Sequence, residues 1–318
     1  MMPAIATPLF ASGSFTMAGV PTFASYPSFL STRKTTPDAR FCVAGVPYDI
    51  ATSFRPGARF GPNAIRQISR MLLDGENPHD WSDISQLDIA DLGDFNVLVG
   101  DVEASMTMIE EQAAPIEHLI TLGGDHSITL PLLRALVKKQ GPVGLVHFDA
   151  HIDTWPDTFG QIHGHGSVFY HAINEGLVDP NRMIQIGIRS PVQKTVHDWT
   201  TARGVEIISG PEMHRIAPEE IARRIRAKVG TQQKTYLSFD IDCIDPSQAP
   251  GTGTPEIGGA QTWQILAILR ELGGINFVGM DVVEVAPIYD HAEVTALAAA
   301  TIAWQYLCLQ AGDRRDIR

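Results

Sequence analysis

The segment His147-Phe148-Asp149-Ala150-His151-Ile152-Asp153-Thr154 directly follows the apolar run Val143-Gly144-Leu145-Val146. Read as the end of a buried strand, it alternates with period two, so Asp149, His151 and Asp153 share one side and Phe148, Ala150 and Ile152 the other. Carboxylates this close repel each other and hold protons unless a cation lies between them. The ladder therefore calls for a metal. Phe239-Asp240-Ile241-Asp242, after the strand-like Thr235-Tyr236-Leu237-Ser238, adds two carboxylates, and Gly123-Gly124-Asp125-His126-Ser127 ends a third apolar run.

Together His126, Asp149, His151, Asp153, Asp240 and Asp242 supply two imidazoles and four carboxylates, whose charges balance two divalent cations. Six donors are too many for one small ion and suit a pair of ions with bridging carboxylates and a bridging water. With no thiolate in the set, Mn(II) is favoured over a thiol-rich zinc site; Ni(II), Co(II) and Zn(II) are the other occupants such donors accept. Any one of these Asp residues alone reads as turn or helix-cap chemistry, and Gly-Gly-Asp-His-Ser alone as a turn into a helix. The coincidence at three strand ends is what points to metal. His147 reads as a packed or supporting histidine. Cys243, beside Asp242 but alternating away from it, reads as packing.

These donors need a scaffold of strands. Apolar runs at 41–46, 87–90, 118–122, 143–148, 183–188, 205–208, 235–241 and 277–283 alternate with helical patterns near 61–73, 101–114, 127–139, 167–176, 193–203, 217–228, 260–272 and 292–310. Pro62 suits the first turn of the first helix. Strands alternating with helices at this spacing predict an α/β fold, with a mostly parallel sheet of about eight strands covered by helices on both faces. An eight-stranded barrel fits the same periodicity. In either architecture the catalytic groups sit at the C-terminal ends of strands.

The 318 residues, 44% apolar and 19% charged, fit one large domain spanning 41–318. Residues 1–40, rich in Pro, Ala, Ser and Thr with Phe10, Phe15, Phe23, Tyr26 and Phe29 interspersed, read as an N-terminal arm and not as a signal peptide. Three distant cysteines, Cys42, Cys243 and Cys308, argue against a disulfide framework and for a reducing, cytoplasmic location. A formal charge of −12 disfavours nucleic acid and anionic membranes as partners and mildly favours a cationic substrate. The uncharged stretch 294–311 is long enough to raise the question of a membrane span, but its Thr295, Thr301, Gln305 and Gln310 fit a buried final helix.

The motifs carry a family resemblance. Gly123 to Ser127, His147 to Thr154, and Ser238 to Pro246 followed by Ala249-Pro250-Gly251-Thr252-Gly253-Thr254-Pro255 resemble the three signatures of the ureohydrolases, the arginase and agmatinase family. Thr52 to Pro62 and Gly279 to Pro287 match as well, and the agmatinase branch is nearer than the arginase branch. The resemblance implies an open three-layer αβα sandwich, a pair of Mn(II) ions on the six donors, and assembly as a homotrimer or homohexamer. It also implies cleavage of a guanidino compound to urea and an amine, with agmatine giving putrescine as the leading reaction.

In that pattern His126 and Asp153 belong to one ion and His151 and Asp242 to the other, with Asp149 and Asp240 holding the pair. Asp153 passes a proton to the departing nitrogen. Glu284 pairs with the guanidinium, a planar cation of pKa roughly 12.5–13.8. Thr254 lines the urea pocket. His165, in His165-Gly166-Ser167-Val168-Phe169, is the expected proton shuttle, with His163 as runner-up. Arg55 and Arg59 read as structural or subunit-contact residues.

The substrate's tail should be read by the loops 155–164 and 189–197. Asp157 in the first leans toward an amine tail. Arg189 and Lys194 in the second suit a carboxylate tail, as in 4-guanidinobutanoate or 3-guanidinopropanoate. Ser167 and Val168 depart from the Thr-Met of close agmatinases, which leaves another guanidine or a biguanide open. Two rivals stand outside this class: a single-zinc deacetylase, against which His126 and Asp153 count, and a non-catalytic regulatory subunit, which would be expected to lose ligands.

Overall fold

A computed structural model describes residues 27–312. The strands are β1 (Phe41–Gly45), β2 (Ile89–Asp94), β3 (Leu119–Leu122), β4 (Val143–Phe148), β5 (Val178–Ile188), β6 (Glu206–Ser209), β7 (Thr235–Asp240) and β8 (Phe277–Val283). They form one open sheet in the order β2-β1-β3-β8-β7-β4-β5-β6, and every neighbouring pair is parallel. The edges formed by β2 and β6 exclude the barrel.

Helices α1 (Gly61–Ser69), α7 (Pro218–Val229), α8 (Thr262–Arg270) and α9 (Val294–Gly312) cover one face, packing with Val146, Phe148, Leu237, Phe239 and Met280. On the other face lie α2 (Val102–Ala113), α3 (Thr129–Gln140) and α4 (Val168–Asn174), against Ala44, Leu145, Met183 and Tyr236. The short α5 (Lys194–Thr201) and α6 (Gly210–Met213) flank β6. The result is the three-layer αβα sandwich. α9 is long and apolar enough to cross a membrane by length and composition, yet most of it is buried against α1, α8 and β8.

Several boundaries differ from the apolar pattern, most of them for a physical reason. The second strand starts at Ile89, because Asp83 caps a 3-10 turn over Ile84–Gln86. It continues to Asp94 because the buried Arg66 guanidinium meets both Asp91 (2.8 Å) and Asp94 (2.5 Å). α1 stops at Ser69 and tightens into a 3-10 turn over Arg70–Leu72. α6 is four residues long, too short to show a period, and is held by the Ser209 side chain accepting from the Glu212 N–H.

Phe29 and Leu30, in the expected arm, are buried in the core, and the Phe29 N–H donates to Asp91 at 2.7 Å. Phe10, Phe15, Phe23 and Tyr26 lie outside the described residues. Cys42, Cys243 and Cys308 are buried free thiols.

One row of side chains breaks the apolar sheet. Strand register aligns Thr121 with Asp281, Asp281 with Ser238, Ser238 with His147, and His147 with Gln185. In-register neighbours of a parallel sheet project to the same face, here the one covered by α3 and α4. All five are fully buried. This polar row lies directly beneath the clustered donors.

Candidate metal centre and active site

The site forms where the central strands β3, β4, β7 and β8 end. β4 stops at Phe148, so the alternation expected over Asp149 to Asp153 does not exist. These residues leave the sheet as a loop, with Asp153 in the left-handed region (φ 49°). The loop still gathers the donors because short hydrogen bonds shape it. The His151 N–H donates to Asp149 Oδ1 (2.5 Å), and the Ala150 N–H donates to Asp242 Oδ1 (3.0 Å). Asp240 caps the 3-10 turn Ile241–Cys243, which carries Asp242, and Asp240 Oδ1 accepts from the Asp242 N–H at 2.9 Å. His126 opens the turn that Asp125 caps by accepting from the Ser127 N–H.

The donors form two overlapping sets, His126 and His147 with Asp149 and Asp153, and His151 with Asp149 and Asp242. His126 Nδ1 lies 3.2, 3.0 and 3.3 Å from oxygens of Asp149, Asp153 and Asp240. His151 Nδ1 lies 3.3 and 3.0 Å from Asp149 and Asp242. Asp149 offers Oδ2 to the first set and Oδ1 to the second. His126 Nδ1 is buried without a hydrogen-bond partner. A ring nitrogen in that state, ringed by three carboxylate oxygens, is what a metal ion would complete, so these residues fit a pair of divalent ions.

The electrostatics agree. Burial, with Asp242 and Asp149 nearby, pushes the Asp240 carboxyl well up. Burial alone would lower His126, but Asp149, Asp153 and Asp240 outweigh it and raise the ring well above the ordinary histidine range. The cluster thus favours added positive charge.

Behind the donors, the polar row sets their orientation. His126 Nε2 donates to Ser238 Oγ (2.9 Å), and Ser238 Oγ donates to Asp281 Oδ1 (2.7 Å). Asp281 Oδ2 accepts from the hydroxyls of Thr129 and Tyr236 at 2.7 and 2.9 Å. This chain fixes the tautomer that leaves Nδ1 free to ligate. His147, read as a supporting residue, contacts Asp149 Oδ2 through Nε2 at 2.8 Å and Gln185 through Nδ1 at 3.0 Å. Phe169 packs on the rings of both His126 and His147. Asp281→Asn is therefore expected to weaken metal retention against a chelator by about 10- to 100-fold while the circular dichroism stays native; unchanged retention would remove the relay.

His165 and Glu284 form the second half of the site. His165 Nδ1 lies 2.9 Å from Glu284 Oε1, which also accepts from the His126 N–H at 2.9 Å. Glu284 is in the left-handed region (φ 65°), and its Oε2 is buried without a partner. Such a carboxylate oxygen costs on the order of 1–3 kcal/mol or more, and left-handed backbone at a non-glycine adds to it. An arriving cation would relieve the first cost. A Cβ at Gly253 would stand 3.3 Å from Oε2, so the absence of a side chain there keeps that edge open.

Burial lowers His165, but Glu284 outweighs it and carries the ring up to about 9. At Nε2, Ser53 presents both its hydroxyl (2.7 Å) and its N–H (3.1 Å). A protonated Nε2 donates to the hydroxyl, and a bare Nε2 accepts from the N–H, so both proton states have a partner. His163 instead turns to Glu103 at 2.5 Å and meets His171 edge to face, away from the donors.

Thr254 Oγ1 donates to Asp242 Oδ2 at 3.3 Å and, with His151, Asp153, His165 and Asp240, walls a cavity of about 580 Å³. Glu284 lies beneath that wall, joined to it by His165. Arg59 pairs with Asp49, and Arg55 stacks over the rings of Phe54 and Tyr289. Ser53, Ser238 and Asp281 were not among the expected site residues. The available signals were Ser238 two residues before Asp240 on one strand, and a carboxylate inside the apolar run 277–283.

The Arginase family model matches residues 39–308. An agmatinase of Photorhabdus laumondii subsp. laumondii is 44% identical over 87% of this chain and 89% of its own length. Among solved structures, a hypothetical agmatinase from Burkholderia thailandensis superposes with a TM-score of 0.86 at 40% identity, covering 94% of both chains. The proclavaminate amidino hydrolase from Streptomyces clavuligerus gives 0.87 at 37% identity, over 92% of this chain and all (100%) of the other. The chain belongs to the arginase family.

Proposed function

We propose that the protein is a ureohydrolase that cleaves agmatine to putrescine and urea on a pair of divalent metal ions. The sharing of Asp149 between two donor sets carries this reading. It is what two adjacent ions require and what a single-zinc deacetylase does not. The chain keeps all six candidate donors, whereas a non-catalytic subunit would be expected to lose some of them. The agmatinase relatives supply the substrate.

Bound on these donors, the ions supply Lewis acidity and make nearby solvent acidic at neutral pH. The remaining work belongs to the chain. Glu284 orients the guanidinium by a planar, charge-assisted contact. Asp153 borders both His126 and the cavity and is placed to take the proton of the attacking water. The water oxygen bonds to the guanidinium carbon to give a tetrahedral centre; the C–N bond to the tail then breaks as its nitrogen takes that proton, and the proton left on the oxygen follows to the amine as urea forms. His165, with a partner in either protonation state, exchanges protons with the leaving side.

Manganese is the proposed metal, on the all-oxygen-and-imidazole donor set. A homotrimer or homohexamer is proposed on the family resemblance, with exposed Phe54, Phe60 and Ile288 as candidate contacts, and sedimentation tests it. A cytoplasmic location is proposed on the three unpaired thiols, and cell fractionation tests it. Metal analysis of the purified chain is expected to give about two ions per chain, with Mn(II)-dependent urea release from agmatine. Material that takes up no metal under any loading condition would end this reading.

A further inference from the structure

Beyond the metal cluster, the cavity has an outer half that bond cleavage does not use. It runs from Asp153 and Asp240 out to Trp155, Asp157, Phe159 and Gln193, and none of its lining side chains is Lys or Arg. The two cations that the sequence places nearby are committed elsewhere. The Arg189 guanidinium donates to the carbonyls of Gly187, Asp242, Cys243, Glu256 and Ile257. Lys194 pairs with Asp198 one turn along α5, in solvent.

Outside the metal donors and His165, Asp157 is the one titratable side chain in the lining. Its Oδ1 accepts from the Gly160 N–H at 2.7 Å, and its other oxygen meets no protein donor among the described residues. The loop that carries it is braced. Thr158 and Gln161 exchange backbone hydrogen bonds at 2.9 and 3.0 Å, and Trp155 Nε1 donates to Gln193 Oε1 at 2.6 Å. At the tip, Phe159 adopts left-handed backbone (φ 51°) with 93% of its surface exposed. A strained backbone carrying an aromatic ring into water has no return within the chain; an apolar segment of a ligand beneath the ring provides one.

We propose that Asp157 determines specificity for the substrate's tail: its carboxylate pairs with a cationic group at the far end of a guanidino compound, and Trp155 and Phe159 flank the methylenes between. This rests on the ureohydrolase reading above. A carboxylate tail would meet Asp157 as a like charge and find no compensating cation in the wall.

Agmatine, 1-butylguanidine and 4-guanidinobutanoate present cationic, neutral and anionic tails to the same reaction. Asp157→Asn keeps an oxygen for the Gly160 N–H, so the turn persists while the charge goes. In the Mn(II)-loaded variant, kcat/KM for agmatine is expected to fall about tenfold, mostly through KM. Its preference for agmatine over 1-butylguanidine should shrink by the same factor, and 4-guanidinobutanoate should gain relative to both. Equal loss on all three compounds would reduce Asp157 to a turn residue and overturn the assignment. A native protein that prefers the anionic tail, or that treats cationic and neutral tails alike, would overturn it too and leave guanidino hydrolysis standing. Urea from none of the three would overturn the ureohydrolase reading itself.

Discussion

Asp149→Asn protein is expected to hold at most one metal ion per chain in place of two, and to release urea at least about 10³-fold more slowly. The size of the effect comes from position. Among the described residues, Asp149 is the one carboxylate whose two oxygens face different histidines, His126 and His151, and His147 holds it in place. Asparagine preserves the volume but offers a single neutral oxygen, so one of the two sets loses an anionic donor.

The metal-free fold should survive, because removing one charge from a crowded group of buried carboxylates relieves repulsion. What shrinks is the rise in melting temperature on adding metal. Metal uptake by the native chain should release protons, since neighbouring carboxylates hold His126 and His151 well above the usual histidine range. Affinity therefore increases with pH. Two ions retained at full turnover by the variant would show that Asp149 bridges nothing.

Glu284→Gln is the second large effect, expected to lower kcat/KM by about 10²- to 10³-fold while both metal ions stay bound. The amide keeps the shape but not the charge that a guanidinium needs. It also withdraws the anion that holds His165 at about 9, so the variant's pH–rate profile should move on its alkaline side toward the ordinary histidine range.

Stability gives an independent reading. Because the folded pKa of His165 is raised, its pairing with Glu284 contributes fully below the unfolded value near 6.5 and is lost as pH climbs through about 9. The difference in melting temperature between native and variant should be present at neutral pH and fade above pH 9. A variant that binds agmatine and titrates like the native protein would remove Glu284 from the site, and His165→Ala with full turnover would do the same for the shuttle.

The strands were legible because each contains an apolar stretch, though β2 runs on through Asp91 to Asp94, and their parallel pairing followed from the helices between them. The six donors were legible because they stand where those runs end. The path that joins them was not. Alternation over Asp149 to Asp153 predicts a strand, but the chain turns out at Phe148 on hydrogen bonds from the His151 and Ala150 N–H groups to Asp149 and Asp242, the latter 92 residues away from Ala150 in sequence. Nor was the Ser238–Asp281 relay legible, since it depends on β7 lying beside β8, and strand order leaves no local trace. Arg189 shows the same limit: its residue type suits a carboxylate tail, whereas the structure spends its guanidinium on five backbone carbonyls.

The polar row across the sheet has a consequence for engineering. Thr121, Asp281, Ser238, His147 and Gln185 occupy positions where aliphatic side chains pack well, and fully replacing buried polar groups with apolar ones is often neutral or stabilising. Selection for heat resistance alone should drift toward Val and Leu at these places, yielding sturdier proteins whose histidines no longer point the right way. Retaining activity through such a campaign means holding that row constant and seeking robustness at the opposite rim, where loops such as 141–142 join elements far from the chemistry.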